Sequence, residues 1–206
     1  MSLTHGEQVR VLEEGEGEGH SLGWWGMIFF IASEALIFAN LIASYLYLEI
    51  RNGGIWTLPS GHILEVAFPA VNTVILLASS GPAHFAGRSA AKGDRRGLIL
   101  GLLGTIILGV VFLCGQAYEY TGLFNQGFTL QYKTFGSAFF TLTGFHGMHV
   151  TVGVLFLLIC LIRAIRGDFT KASHFAVEAA EMYWHFVDIV WIVVFSTVYL
   201  LPLLRG

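Results

Sequence analysis

The feature that most limits the fold of this chain is a series of apolar segments about as long as a lipid bilayer is thick. Five such segments carry few charges: 23–48, 63–85, 98–118, 135–162 and 178–204. An α-helix of about 20 apolar residues spans a hydrocarbon core roughly 30 Å thick. Within lipid, only helices and closed barrels satisfy their own backbone hydrogen bonds. The sequence therefore predicts an all-α polytopic membrane protein with five transmembrane helices.

The second segment is the least apolar of the five. Glu65 lies at its start, and Pro69 and Pro82 interrupt it. Neighbouring helices and Ser or Thr side chains can satisfy backbone groups freed by proline in a membrane helix. The composition also favours a membrane protein, because 55% of the residues are hydrophobic and only 12% are charged, about half the charged share of a soluble domain. We therefore retain this segment as a predicted span.

The first 22 residues differ from the rest. The stretch EEGEGEGHS alternates glutamate with glycine and offers nothing to bury, which is typical of a disordered or surface-lying tail. Residues 1–22 lack the basic region and apolar stretch of a secretory signal, since Arg10 stands among five glutamates. We expect an acidic tail at 1–22, a transmembrane domain at 23–206, and membrane insertion directed by the first apolar helix.

Lysine and arginine are distributed unevenly between alternate connections. With the N-terminus inside, the inner segments hold eight of these residues: Arg10, Arg88, Lys92, Arg95, Arg96, Arg163, Arg166 and Lys171. The outer segments hold three: Arg51, Lys133 and Arg205. Short loops rich in basic residues stay on the cytoplasmic side. The sequence predicts an N-in, C-out topology.

Ionisable residues inside the apolar segments are the candidates for function, because they are costly in lipid and usually face a bundle interior or a water-filled path. Glu34 lies near the middle of the first segment. His146 and His149 are three residues apart and share one helix face. Glu178, Glu181, His185 and Asp188 follow a 3-4-3 spacing, which predicts a polar stripe along the fifth helix.

Three interpretations of this stripe compete. It could fix helix packing through interhelical hydrogen bonds, with the His146/His149 face as one possible partner. It could be a metal site, although the paired Glu-x-x-His motifs of di-metal bundles are absent and Cys114 and Cys160 have no metal-ligand spacing. It could be the path of a proton-coupled transporter centred on Glu34, although no inverted repeat is visible. No soluble-enzyme motif is present.

Two long stretches closely resemble subunit III of haem–copper terminal oxidases: TFGSAFFTLTGFHGMHVTVG at 134–153 and HFAVEAAEMYWHFVDIVWIVVFSTVYL at 174–200. The resemblance continues, in the same order, through SEALIF at 33–38, PAVNTVILLASS at 69–80, GDRRG at 93–97 and GQAYEY at 115–120. It covers nearly everything after the acidic tail.

The resemblance implies an accessory subunit without haem or copper. Such a subunit packs on catalytic subunit I, binds structural phospholipid, and supports proton uptake and durability during turnover. It also implies that intramembrane polar positions of the family are matched by Glu34, His146, His149, Glu178, His185 and Asp188, and that His149, Arg163 and Arg166 lie at a lipid site. We expect an ordered phospholipid between the first, fourth and fifth helices.

Two departures from the family pattern stand out. Many members have seven helices, and this chain resembles them from the third onward, so we expect the lipid-holding cleft to be open or completed by another subunit. Glu181 falls where a small or apolar residue is expected. Its role therefore cannot be taken from the resemblance.

The resulting hypothesis is a non-redox subunit III of an aerobic cytochrome c oxidase in a bacterial plasma membrane. It predicts no catalytic residue and no metal ligand in this chain, haem and copper in partner subunits, and contacts with subunits I and II. No nucleic-acid partner is expected. The alternatives are subunit III of a quinol oxidase, a relative associated with nitric oxide reductase, or a stand-alone proton-coupled transporter.

Overall fold

The computed structural model describes residues 22–52, 56–59 and 64–205. Its helices, in chain order, are α1 (Leu22–Arg51), α2 (Ala67–Lys92), α3 (Arg95–Asn125), α4 (Lys133–Arg166) and α5 (Phe175–Phe195), then a π-helical turn (Ser196–Leu200) and α6 (Leu201–Arg205). The all-α fold is confirmed for the described residues. The predicted acidic tail lies outside them, except for Leu22, which begins α1.

Four helical stretches in the described part are long and apolar enough to cross a membrane: Leu22–Arg51, Arg95–Asn125, Lys133–Arg166 and Phe175–Leu204. The remaining long helix, α2, has 26 residues but is less apolar, because Asn72, Ser79, Ser80 and Pro82 lie within it. The side chains of Asn72, Ser79 and Ser80 make hydrogen bonds with neighbouring helices. The structure thus supports four of the five predicted spans by length and apolarity.

Helices α2, α3, α4 and α5 form a closed four-helix arrangement, in which each packs on two others. Helix α1 lies outside it and packs on α4 and α5. Most of α1 is accordingly accessible, and its buried residues are Phe38, Tyr45 and Glu49. Helix α5 therefore has α1, α2 and α4 as neighbours, and Glu34 of α1 contacts His149 of α4.

Glycine permits a close helix contact between α2 and α3. A Cβ atom on Gly101 would lie 2.8 Å from the Ala86 Cβ atom and 2.8 Å from the Pro82 carbonyl oxygen. Small residues let membrane helices approach in this way. The two helices are joined by a tight turn, in which Gly93 adopts a φ of 74° and the Asp94 carboxylate accepts from the Arg96 N–H at 3.1 Å. This turn fixes the register of α2 against α3.

Two tryptophans of α5 fill the centre of the bundle. Trp184 is fully buried and Trp191 nearly so. Their indole N–H groups donate to α2, Trp184 to the Ser79 hydroxyl and Trp191 to the Thr73 hydroxyl, both at 2.8 Å. A buried indole needs such an acceptor. Polar residues that make α2 less apolar therefore accept hydrogen bonds from the buried tryptophans of α5.

Several contacts align the helix ends on one side of the bundle. A Cβ atom on Gly23 would lie 2.8 Å from the Phe175 ring, so α1 and α5 begin side by side. The Arg95 Nε donates to the Ala164 carbonyl at 3.0 Å, and its Nη2 donates to the Ile165 carbonyl. The start of α3 therefore caps the end of α4. We call this side, with the α2–α3 turn and the α4–α5 loop, the basic end.

The opposite end is closed by aromatic side chains. Trp56 lies between Tyr45 and Phe135, with ring centroids 4.9 Å and 4.8 Å away. Phe128 packs on Phe135 at 4.8 Å and is fully buried. The π-helical turn precedes Pro202, which has no N–H for an i→i−4 hydrogen bond. The helix therefore changes its hydrogen-bond pattern here without ending.

Candidate functional site

Glu34 and His149 form a pair between α1 and α4. The Glu34 Oε2 lies 3.0 Å from the His149 Nε2, and the other ring nitrogen of His149 lies 2.8 Å from the Phe145 carbonyl oxygen. The His149 side chain is 7% exposed and the Glu34 side chain 19% exposed. Both ring nitrogens of this histidine are therefore used inside the chain.

The partners of this pair determine where its protons lie. A carbonyl oxygen can only accept, so the His149 Nδ1 carries a proton and donates to Phe145. The pair is then either a neutral imidazole that accepts from a protonated Glu34, or an imidazolium beside a carboxylate. In both states the pair holds one proton in addition to that on Nδ1. The geometry suits an interhelical clamp in which the proton is shared locally.

His146 has a different environment. It is fully buried among aromatic rings, stacked on Trp191 at 4.6 Å and perpendicular to Phe112 at 6.0 Å. Neither ring nitrogen has a hydrogen-bond partner among the described residues. Of the two histidines on this helix face, His146 therefore packs in an aromatic cluster and His149 pairs with Glu34.

The deep part of the polar stripe on α5 faces α2. The Asp188 carboxylate accepts from the Ser80 hydroxyl, and the Ser80 Oγ lies 3.4 Å from the His185 Nδ1. Asp188 is 4% exposed. This Asp–Ser–His chain is an interhelical contact of the kind that the packing interpretation of the stripe requires.

The next turn of the stripe also contacts α2. The Glu181 Oε1 lies 2.9 Å from the His84 Nδ1 and 3.6 Å from the His185 Nε2. A Cβ atom on Gly87 would overlap the Glu181 carboxylate. The absence of a side chain at Gly87 therefore lets Glu181 lie against α2. His84 was not among the residues that the sequence indicated.

The outermost residue of the stripe does not cross to another helix. Glu178 Oε1 lies 2.9 Å from the Nε2 of His174, which precedes α5. In the described residues, no side chain of the polar stripe makes a hydrogen bond with the ring of His146 or His149. The structure thus brings Glu181, His185 and Asp188 together on α2, and pairs His149 with α1.

Sequence reasoning missed two polar contacts of α3. The Gln116 amide donates to the Thr143 carbonyl of α4 at 3.1 Å. The Tyr199 hydroxyl donates to the Glu119 Oε1 at 2.8 Å, which joins the π-helical turn to α3. Glu119 lies in the GQAYEY stretch, directly after the apolar segment 98–118. A carboxylate at that position could have indicated an interhelical partner.

The two basic residues predicted at a lipid site end α4. The Arg163 Nε lies 3.6 Å from the Asp168 Oδ2, and its guanidinium lies 4.8 Å from the centroid of the Phe169 ring. Arg166 is exposed. Both therefore lie at the basic end, with Arg163 partly engaged by the α4–α5 loop.

An apolar groove runs between α1, α4 and α5. Its volume is about 360 Å³, and its lining residues are Met27, Phe30, Val152, Leu155, Phe156, Ile159 and Tyr183. Ile159 is one helical turn before Arg163, and residues four apart share a helix face. Phe30 has the same relation to Glu34. The groove therefore extends from the Glu34–His149 pair toward the basic end of α4.

Comparison with known proteins identifies the family. The model of the family "Cytochrome c oxidase subunit III" matches residues 19–202. Cytochrome c oxidase subunit 3 of Synechocystis sp. is 42% identical over 193 residues, covering 91% of this chain and 81% of the relative. The Drosophila melanogaster protein of that name is 41% identical, covering 85% of this chain and 68% of the relative. The protein of that name from Corynebacterium diphtheriae is 42% identical, covering 84% of this chain and 85% of the relative. This chain belongs to the cytochrome c oxidase subunit III family.

Proposed function

We propose that this chain is the accessory, non-redox subunit III of an aerobic respiratory cytochrome c oxidase, packed on catalytic subunit I. Haem and copper belong to the partner subunits, which include subunit II. The observation that carries the proposal is the pairing of intramembrane polar groups with each other across helix interfaces. Glu34 pairs with His149, Asp188 with Ser80 and Glu119 with Tyr199. Such pairing suits a bundle whose polar groups hold its shape.

Within this function, the chain crosses the membrane five times with its N-terminus inside. Helix α2 has 26 residues, about 39 Å at 1.5 Å per residue, and its polar side chains are used by α3 and α5. The basic end gathers Lys92, Arg95, Arg163 and Arg166 with the start of α1. The excess of basic residues on one side of the bundle supports the N-in orientation.

We assign the apolar groove to a phospholipid. Its lining suits an acyl chain, and Arg163 and Arg166 follow Ile159 on the same helix toward the basic end. Basic side chains near the surface attract anionic headgroups by about 1 kcal/mol each. An acyl chain in the groove would also cover the approach to Glu34 and His149 and keep water from their hydrogen bond.

Substituting a groove residue tests the lipid assignment. Leu155 lines the groove, whereas Leu158 is exposed on the same helix and does not line it. Leu155→Trp should displace one tightly bound phospholipid from the purified complex, counted by native mass spectrometry, and Leu158→Trp should not. Equal lipid counts in the two variants would remove the groove as the lipid site.

The lipid and the polar pairs give the subunit its proposed influence on turnover. By fixing α1 against α4 and by holding lipid beside subunit I, the chain supports proton uptake by the catalytic subunit and its durability during turnover. We propose that the protons of the Glu34–His149 pair hold α1 against α4 and do not travel to subunit I, because both ring nitrogens of His149 have hydrogen-bond partners inside the chain.

Co-purification tests the function as a whole. The chain, tagged and gently solubilised from a bacterial plasma membrane, should carry haem-bearing partners and the optical spectrum of a cytochrome c oxidase. The names of the relatives favour the cytochrome branch over a quinol oxidase. A stable chain without haem-bearing partners would favour the transporter alternative, and a complex that oxidises quinol and not cytochrome c would move the chain to the quinol branch.

A further inference from the structure

His84, Glu181 and His185 form a compact group of metal-ligand types near the basic end, apart from the Glu34–His149 pair. One ligand atom from each lies within 4.8 Å of the others. Glu181 and His185 are four residues apart on α5, so they share a face, and His84 meets them from α2. The Glu181 Oε1 lies between the two imidazoles, 2.9 Å from one and 3.6 Å from the other.

The hydrogen bonds around His185 leave one of its nitrogens available to a metal. The Ser80 hydroxyl donates to Asp188, so its oxygen accepts the His185 Nδ1–H, at 3.4 Å. In the neutral ring with this tautomer, the Nε2 lone pair faces the Glu181 carboxylate at 3.6 Å, and in the protonated ring an N–H takes that place. A metal ion would occupy the position of this proton, between the two acceptors. Metal-bound histidines commonly donate their other N–H toward a carboxylate or carbonyl, which fixes the tautomer. Here Ser80 relays that contact to Asp188.

We propose that His84, Glu181 and His185 bind one zinc ion reversibly, with water as the fourth ligand. Two histidines and one glutamate with an open fourth position make a recognised zinc ligand set. Tetrahedral bonds of about 2.0–2.2 Å place neighbouring ligand atoms about 3.3–3.5 Å apart, close to the separations from Glu181 in this structure. No metal ligand was predicted from the sequence, and His84 was not considered, because the register between α2 and α5 was unknown.

The surroundings permit an ion to enter and the ligands to adjust. The His84 side chain is 54% exposed and the His185 side chain 39% exposed, so the ring of His84 can rotate toward the ion. Gly87 leaves room for the Glu181 carboxylate against α2. The ion would replace the His84–Glu181 hydrogen bond and bridge α2 to α5.

Zinc titration of the full-length chain in detergent tests this proposal. After treatment with a chelator, the chain is titrated with Zn²⁺ against a competing indicator. We expect one equivalent to bind, and His84→Ala, Glu181→Gln and His185→Ala each to weaken binding by more than the roughly 10–100-fold that loss of an outer-shell partner costs. The matched control is His174→Ala, because His174 also pairs with a glutamate of α5. This variant should bind zinc like the unaltered chain.

Glu181→Gln keeps the shape of the side chain, so it separates ligand loss from misfolding, and size-exclusion chromatography with circular dichroism verifies each variant. X-ray absorption at the zinc edge should show two imidazoles in the first shell. Zinc affinity that is equal in the unaltered chain and in Glu181→Gln would overturn the proposal and leave the group as an ion-pair network. A first shell without histidine would overturn it as well.

Discussion

The packing of Trp184 against α3 gives a quantitative prediction for Gly109→Ala. A Cβ atom at this position of α3 would lie 2.6 Å from the Trp184 Cη2, whereas non-bonded carbon atoms prefer about 3.5–4.0 Å. The indole has little room to move away from α3. A Cβ atom on Gly153 of α4 would lie 2.9 Å from the Trp184 ring, and the indole N–H donates a hydrogen bond to the Ser79 hydroxyl at 2.8 Å. The ring or the helix must therefore shift by about 1 Å.

Two opposing effects determine how much Gly109→Ala changes the free energy of unfolding. Forcing an extra carbon into a packed core costs about 1–3 kcal/mol, while replacing glycine by alanine in a helix gains about 1 kcal/mol. Gly122 is the matched control on the same helix, because a Cβ atom there would meet nothing within 4 Å. Gly122→Ala should therefore be neutral or stabilising.

The free energy of unfolding of both variants can be measured by titrating the purified chain from mild detergent into SDS and following tryptophan fluorescence. Gly109→Ala should be less stable than Gly122→Ala by about 1–3 kcal/mol. Its indole N–H should also exchange faster than in the unaltered chain, since the contact with Ser79 is displaced. Equal stability of the two variants would refute the packing of Trp184 between α3 and α4.

Trp191→Phe should lower the free energy of unfolding by about 1 kcal/mol, because it removes one hydrogen bond to α2; a loss below the detection limit in SDS titration would contradict this. Arg95→Ala should shift the thermal unfolding midpoint down, because it uncaps the end of α4, while Arg96→Ala should leave it unchanged. Asp188→Ala should cost about 1–3 kcal/mol as a buried contact is broken, and the double change with Ser80→Ala should cost less than the two single changes added together. Strict additivity in that cycle would show that the two side chains do not interact.

The apolar segments predicted where the long helices lie, because an apolar run long enough to cross a bilayer must satisfy its own backbone hydrogen bonds. The segment 135–162 became α4, Lys133–Arg166, and 98–118 became α3, Arg95–Asn125. The second segment was displaced furthest, from 63–85 to Ala67–Lys92. Its later residues are small and suit contact with α3, so packing extends the helix beyond the end of its apolar run.

The side-chain partners were less predictable. Spacing places His146 and His149 on one face, but it does not reveal which helix lies opposite that face. The pairing of His149 with Glu34 depends on α1 lying against α4, and that of Glu181 with His84 depends on the register between α2 and α5. These are long-range contacts, and no local rule in the sequence determines them.

The most direct test of the accessory role is the turnover of an oxidase complex that carries Glu34→Gln. The amide N–H of the replacement can donate to the His149 Nε2, so the clamp between α1 and α4 persists while the carboxyl proton is lost. Glu34→Ala is the companion variant, since it leaves that nitrogen without its partner. Oxygen consumption should be measured from the first turnovers onward, on complexes shown to retain this subunit.

A structural role predicts that Glu34→Gln has a normal initial rate of oxygen consumption and a normal proton-pumping ratio. Glu34→Ala should start near the normal rate and lose activity faster during sustained turnover. An immediate and large loss of turnover in the fully assembled Glu34→Gln complex would place Glu34 on an obligatory proton route and contradict the account.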